Sequence, residues 1–361
     1  MAIGDHTLNL AGGLTVTIDA HVGVVEARII EAWARAWAEL QNEWSEVAMD
    51  LAAIHAATGT WPSRAAILRA RRVRAALADT QEAIEDVVAE LGGTVRTATT
   101  QLGEAAARFQ TDIIASQLPD DTTPGWVPGA LEVTGYDRDA VTRIVERSTE
   151  QITSLMLPLP AQATAAIKAQ LVKGVGLGDN PRTVARAIET RVGGALDGYR
   201  NRALVIARTE MLDVHREVAA MVEHDNKDLV TEWVWTATLD RRTCPSCLAM
   251  HGTRHPISAS GPDDHQQGRC ARVTKTKSWR DLGFDVDEPD DLIPDARAWF
   301  DSQPPAVRAA MFGRDRLRLL DSGAIGWEDL TTVRSTQGWR DSRVPTPVGA
   351  LRSRARRGRP R

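Results

Sequence analysis

Cys244, Cys247, His265 and Cys270 are the residues of this chain whose types and spacing could do chemistry together. A Cys-x-x-Cys pair, here enclosing Pro245-Ser246, can aim two thiolates at one ion while nearby backbone amides offset their charge. Tetrahedral zinc then needs two further ligands. His265 and Cys270 supply them if Gly252 and Gly261-Pro262 let a second arm fold back beside the first. The expectation is a closed, structural Cys3His zinc site formed by Cys244, Cys247, His265 and Cys270, with His251 and His255 competing for the histidine position. Three other readings use the same residues. The cysteines can be metal-free and simply buried as small hydrophobes. They can hold a catalytic zinc with an open position, for which Asp263 or Asp264 would be the acid/base. A thioredoxin-like redox pair would need a strand-helix-strand setting that the surrounding sequence lacks.

Two elements must position this cluster. Residues 230–239 alternate Val230, Glu232, Val234, Thr236, Thr238 with Thr231, Trp233, Trp235, Ala237, Leu239, a β-branched and aromatic pattern that predicts a half-buried strand. Asp240 to Thr243 then turn the chain into the cysteine pair. Upstream, residues 198–223 read as a helix carrying Arg208, Thr209, Glu210 and His215. Arg208 and Glu210 are two apart and cannot face each other, so this polar set is expected to tie the helix to the strand and knuckle. Glu210 and His215 as an acid/base pair would lack a nucleophile nearby.

The order of these motifs is similar to a known family. Ala207-Arg208-Thr209-Glu210 in a helix, Glu232 to Asp240 in a strand, Arg242-Thr243-Cys244-Pro245-Ser246-Cys247, and His265-Gln266-Gln267-Gly268-Arg269-Cys270 resemble the Mu F-like minor head proteins of tailed bacteriophages over roughly residues 158–330. In that family the return arm usually reads His-x-x-Cys-Arg-Cys, and Gly268 stands where the first of those cysteines would fall. The resemblance implies a minor virion component at the head interior or portal vertex. It further implies contact with the portal protein, and with the major capsid or a scaffolding protein, during assembly in the host cytoplasm, and a part in packaging or ejecting DNA. The alternative from another class is a zinc-dependent hydrolase or nuclease carried in the virion, using Glu210, His215, Asp263 or His265. A third is a portal-docking adaptor that never meets DNA.

Composition bounds these readings. A chain of 361 residues, 43% apolar, can bury more than one core. Clustered cysteines argue against a disulfide framework and for folding in a reducing compartment. No run approaches the roughly 18 uninterrupted apolar residues of a membrane span, and the start lacks a basic region and an apolar segment, so neither a membrane nor a secretory route is expected. The net charge of −4 conceals an asymmetry: the last ten residues hold Arg352, Arg354, Arg356, Arg357, Arg359 and Arg361 with no acid, which leaves the body at −10. An acidic body repels nucleic acid, whereas the basic tail offers phosphates a handle without sequence preference.

The fold class read from the pattern is mainly α (α+β): an elongated N-terminal helical bundle, then a helical domain with a small β-element around the Cys/His knuckle. Residues 1–20 form an arm in which Leu14 to Ile18 alternate, as an edge strand or docking arm would. Residues 21–119 read as an antiparallel bundle. Its first helix carries Ile30, Trp33, Trp37, Leu40, Trp44, Val47, Leu51 and Ile54 on one seam and is stopped by Gly59. The second begins after Pro62-Ser63 and continues the seam with Thr80 in one slot, and Gly92-Gly93 turns the chain into a third. The tryptophans are expected to fill the bundle core, and Arg69, Arg71, Arg72 and Arg74 to lie on a solvated face. Residues 120–135 read as a linker and 136–330 as the Mu F-like domain, with its knuckle at 240–273. A glycine-rich turn at 174–181, capped by Asp179 or Asn180, lacks the preceding strand of a phosphate loop. Residues 331–361 read as an extended basic tail.

Overall fold

Helix dominates because apolar residues recur every three to four positions over most of the chain. The computed structural model describes residues 3–129, 131–175, 181–335 and 340–357, with the backbone alone at 172–175, 181–185, 187–189 and 357. It is 64% helical with a small antiparallel sheet, the mainly α (α+β) class expected. Three helices are long: α1 (Asp5–Thr58), α3 (Arg71–Ala115) and α6 (Pro181–Asp225). Shorter helices are α2 (Arg64–Arg69), α4 (Arg138–Met156) and α5 (Leu159–Val175). Two compact units result. The first comprises residues 1–19, 102–144 and 212–361, and the second 20–101 and 145–211.

Several local expectations give way to helix. Residues 14–18 lie inside α1, where Leu14 and Ile18 are buried and Val16 is exposed. Their alternation is equally a four-residue repeat, and the helical pattern that follows extends it. Gly92-Gly93 turns nothing. Leu91, Val95, Ala98 and Leu102 keep helical spacing straight through it and are all buried, which outweighs about 1 kcal/mol per glycine. Gly193-Gly194 likewise lies within α6, where a Cβ on Gly193 would meet the Trp37 ring at 3.3 Å. The predicted bundle seam holds for Trp33, Leu40, Trp44, Val47 and Leu51, all buried, whereas Ile30 and Ile54 are 48% and 44% exposed, and Ile29 is buried instead. Thr80 on that seam accepts a hydrogen bond from Trp44 Nε1–H at 3.0 Å. α1 is also long and apolar enough, by length and composition alone, to cross a membrane, with a mean hydropathy of 1.3 over 18 residues. A search for uninterrupted apolar runs misses it because Thr15, Thr17 and Asp19 intervene. Of the glycine-rich turn, residues 176–180 lie outside the described residues.

In the first unit β1 (Val230–Thr236) is the middle strand of a three-stranded antiparallel sheet, flanked by β2 (Arg254–Pro256) and β3 (Ala271–Thr276). Trp233 faces His255 on one side and Thr274 on the other. The strand is covered on both faces rather than half-buried. Val234 packs with Ile3, Ile113 and Val273, while Trp233 and Trp235 pack with Ala237, Cys247, Met250 and Cys270.

Beyond the sheet, α8 (Ala296–Asp301), α9 (Pro305–Phe312) and α10 (Arg314–Asp321) are separated at Pro304-Pro305 and at Gly313, whose φ is positive. The last segment is not extended. Thr331–Arg334 (β4) and Ser342–Pro345 (β5) form a hairpin, and Val348–Arg357 is helix α11. Leu351, fully buried with Leu248, Phe300, Phe312, Leu320 and Leu330, anchors α11 to the core. One apolar anchor among arginines is too sparse a signal to be read as helix locally.

Candidate metal centre

The turn into the knuckle is built by Asp240. Its carboxylate accepts from Arg242 N–H at 2.8 Å and pairs with Arg269 at 2.8 Å. Burial alone would raise Asp240, but these donors hold it down at about 2. The chain then enters α7 (Pro245–Met250) with Cys244 as N-cap and Pro245 in the first turn, a position where proline's missing N–H costs nothing. The capping thiol accepts from Cys247 N–H at 3.4 Å.

This cap brings the sulfurs together. Cys244 Sγ and Cys247 Sγ are 3.4 Å apart, and Cys247 Sγ lies 3.6 Å from His265 Nε2. His265 Nδ1–H donates to Gln266 O at 2.9 Å, which leaves Nε2 aimed at the thiols. A hydrogen bond from the Cys247 thiol, with help from His265, holds Cys244 down at about 4. His265 is pushed up to about 9 by its hydrogen bond with Cys244 and that thiolate's charge. Cys247 is raised, because it shares hydrogen bonds with both Cys244 and Cys270.

The ligand atoms of Cys244, Cys247 and His265 all lie within 4.8 Å of one another; Cys270 joins through a second trio, Cys247, Asp264 and Cys270, within the same limit. Soft sulfur and an imidazole nitrogen, with Cys247 and Cys270 buried and Cys244 and His265 half-buried, form a donor set that suits zinc. A cleft of about 70 Å³ opens beside the sulfurs. The other histidines are engaged elsewhere. His251 accepts from Ala237 N–H and donates to Pro294 O, both at 3.0 Å. His255 stacks on Trp233 at 4.3 Å and meets Thr253 Oγ1 at 2.9 Å.

The return arm is held by Asp264 together with Asp213, Arg216 and Arg340, three charges that the sequence reading did not single out. Arg216 on α6 donates to Cys270 O and Gly268 O, each at 2.9 Å, and pairs with Asp213 at 2.7 Å and Asp264 at 2.9 Å. Burial would lower Arg216, yet Asp264 and Asp213 keep it raised and so charged. Asp264 in turn accepts from Cys270 N–H at 3.1 Å, and Arg340 reaches Asp213 at 3.0 Å and Asp264 O at 2.7 Å. Gly268 makes this possible, since a Cβ there would sit 2.0 Å from Asp264 Oδ2. The space a cysteine side chain would need at that position is filled by a carboxylate. The one legible signal was Asp213-x-x-Arg216, an ion pair at i,i+3 on an otherwise apolar helix face.

Arg208, Thr209 and Glu210 belong to the second unit. There Arg208 pairs with Glu26 at 3.0 Å, Thr209 is buried, and Glu210 O accepts from Ser148 Oγ at 3.4 Å. Further along the same helix, Asp213 and Arg216 tie α6 to the knuckle. His215 is 2% exposed, donates through Nδ1 to Leu212 O, and is held by burial at about 3, so it is a neutral core residue. Glu223 and Arg272 form a further buried ion pair with Thr274 and Gln110, fastening β3 to α6 and α3.

Of the C-terminal arginines, Arg352 pairs with Asp315 at 2.9 Å and Arg354 with Asp329 at 2.9 Å, while Arg356 is exposed on α11. Arg359 and Arg361, and the side chain of Arg357, lie outside the described residues.

Residues 165–272 match the family model described as Phage Mu protein F like protein, in agreement with the resemblance carried by the motif order of this segment. The match ends two residues beyond Cys270 and takes in all three cysteines and His265. No curated protein and no solved structure matches the chain.

Proposed function

We propose that this chain, Mu F-like over residues 165–272, is a minor component of a phage head in which zinc braces a non-catalytic module. Within this reading the protein joins the head at the portal vertex during assembly, contacts the portal protein, and takes part in packaging or ejecting DNA, with its C-terminal arginines on phosphates. One observation carries it: within the family-matched segment, two thiols and an imidazole converge within 4.8 Å at the cap of α7, and Cys270 adjoins through Cys247. Cys244, Cys247, His265 and Cys270 would hold the ion. Zinc would cross-link the arm of Cys244 and Cys247 to the arm of His265 and Cys270, so its binding is folding free energy there. No other residue is asked to do chemistry; Arg216 and Asp264 orient the return arm.

Elemental analysis of the purified full-length protein should return a single equivalent of zinc. Chelation should then lower the melting temperature and flatten the near-ultraviolet signal of Trp233 and Trp235, which pack on Cys247 and Cys270. Full stability without metal would remove zinc from the reading. Absence of the chain from purified virions, or failure to co-purify with portal protein, would remove the assembly role. Plasmid cleavage lost in His265→Ala would make the site catalytic.

A further inference from the structure

We infer that α10 and α11 together present a composite, sequence-independent binding face for the phosphate backbone of double-stranded DNA, centred on Arg314, Arg318, Arg352 and Arg356. The inference rests on the reading that the C-terminal arginines meet DNA, and it changes which residues do so and how they are held.

Arg314 and Arg318 are one turn apart on α10, and Arg352 and Arg356 one turn apart on α11, so each pair shares a helix face. Leu320 and Leu351 bury the opposite sides of the two helices in one core, which leaves these arginine faces outward. Asp315 joins them, pairing with Arg352 at 2.9 Å and Arg318 at 3.7 Å. The side chains of Arg318 and Arg352 are still 77% and 55% exposed, and Arg314 and Arg356 are exposed too. Asp315 is thus the carboxylate that two of the four arginines share; Asp321 is about 9 Å further along α10.

Among the described residues, no large apolar side chain is exposed on either helix, and a protein partner would want such an anchor. Guanidinium forks with no apolar anchor beside them match phosphate oxygens. Arg354 points elsewhere: it is tied to Asp329 and stands outside the face.

The test measures anisotropy of a short labelled duplex of arbitrary sequence with the full chain over a salt series. The variants are R314Q/R318Q, R352Q/R356Q, R354Q, Asp315→Asn and a chain lacking the last four residues. Each lost phosphate contact should reduce the salt slope by about 0.9 and affinity near 0.1 M salt by about eightfold. Both double variants should then lose several tens of fold. R354Q should match the unaltered chain, and Asp315→Asn should bind a few-fold more tightly. Unchanged melting temperatures show that the variants fold. If deleting the last four residues abolishes binding while R314Q/R318Q changes nothing, the composite face is wrong and the tail reading stands. If R354Q weakens binding as much as the double variants, general charge rather than this face is responsible. No binding by the unaltered chain overturns both.

Discussion

Arg216 and Asp264 form an ion pair 2.9 Å long between side chains only 5% and 1% exposed, and through it α6 grips the arm that carries Cys270. The same guanidinium holds Cys270 O while the same carboxylate holds Cys270 N–H. Arg216→Ala removes the shorter of two ion pairs from the buried Asp264, leaving Arg340 at 3.4 Å and the Cys270 N–H, and should cost about 3–5 kcal/mol. Chemical denaturation in the presence and absence of metal should show the larger loss in the metal-free protein, where the arm lacks the metal's cross-link.

Thr80 is the polar residue on an apolar seam, and its hydroxyl both donates to Ala76 O and accepts from Trp44 Nε1–H. Thr80→Val keeps the shape and strands a buried indole donor, so stability should fall by about 1–3 kcal/mol. Thr80→Ser should recover most of it. Equal stability for Val and Thr would show that the hydrogen bond contributes nothing.

His215 supplies a pH dependence. Its folded value, about 3, lies below the ordinary 6.5 because burial disfavours the imidazolium. The unfolded chain takes up that proton first, so this contribution is complete above about pH 6.5 and is lost as pH falls towards 3. Unfolding free energies between neutral and mildly acidic pH should decline by up to about 1.4 kcal/mol per pH unit more steeply in the unaltered protein than in His215→Leu. Since His215 Nε2 is buried without a partner, the leucine variant should be no less stable at neutral pH.

Leu351 is the anchor of α11. Leu351→Ala should cost about 2–5 kcal/mol, and hydrogen exchange should show α11 opening before β1. If α11 stays protected, the helix is held by its ion pairs rather than by that side chain.

Much of the fold was readable locally. The strand at 230–236 announced itself through β-branched and aromatic alternation, and the breaks at Gly59, Pro304-Pro305 and Gly313 fell where backbone chemistry demanded. The cysteine spacing placed the thiols, because a Cys-x-x-Cys at a helix cap brings its sulfurs together by local geometry alone. The glycine pair at 92–93 misled, since a glycine's cost is local while the packing that outweighs it comes from residues far away.

By itself the sequence determined that this would be a helical chain with one strand-bearing Cys/His knuckle and an arginine-rich end, because periodicity and short spacings are properties of neighbouring residues. Only the tertiary structure decided that His265 rather than His251 or His255 meets the thiols. It alone assigned the return arm to Arg216 and Asp264, 48 positions apart, and set Arg352 and Arg356 on a docked helix beside α10. Such pairings depend on how distant segments bury their apolar faces, and nothing in the local composition of either partner encodes the other's position.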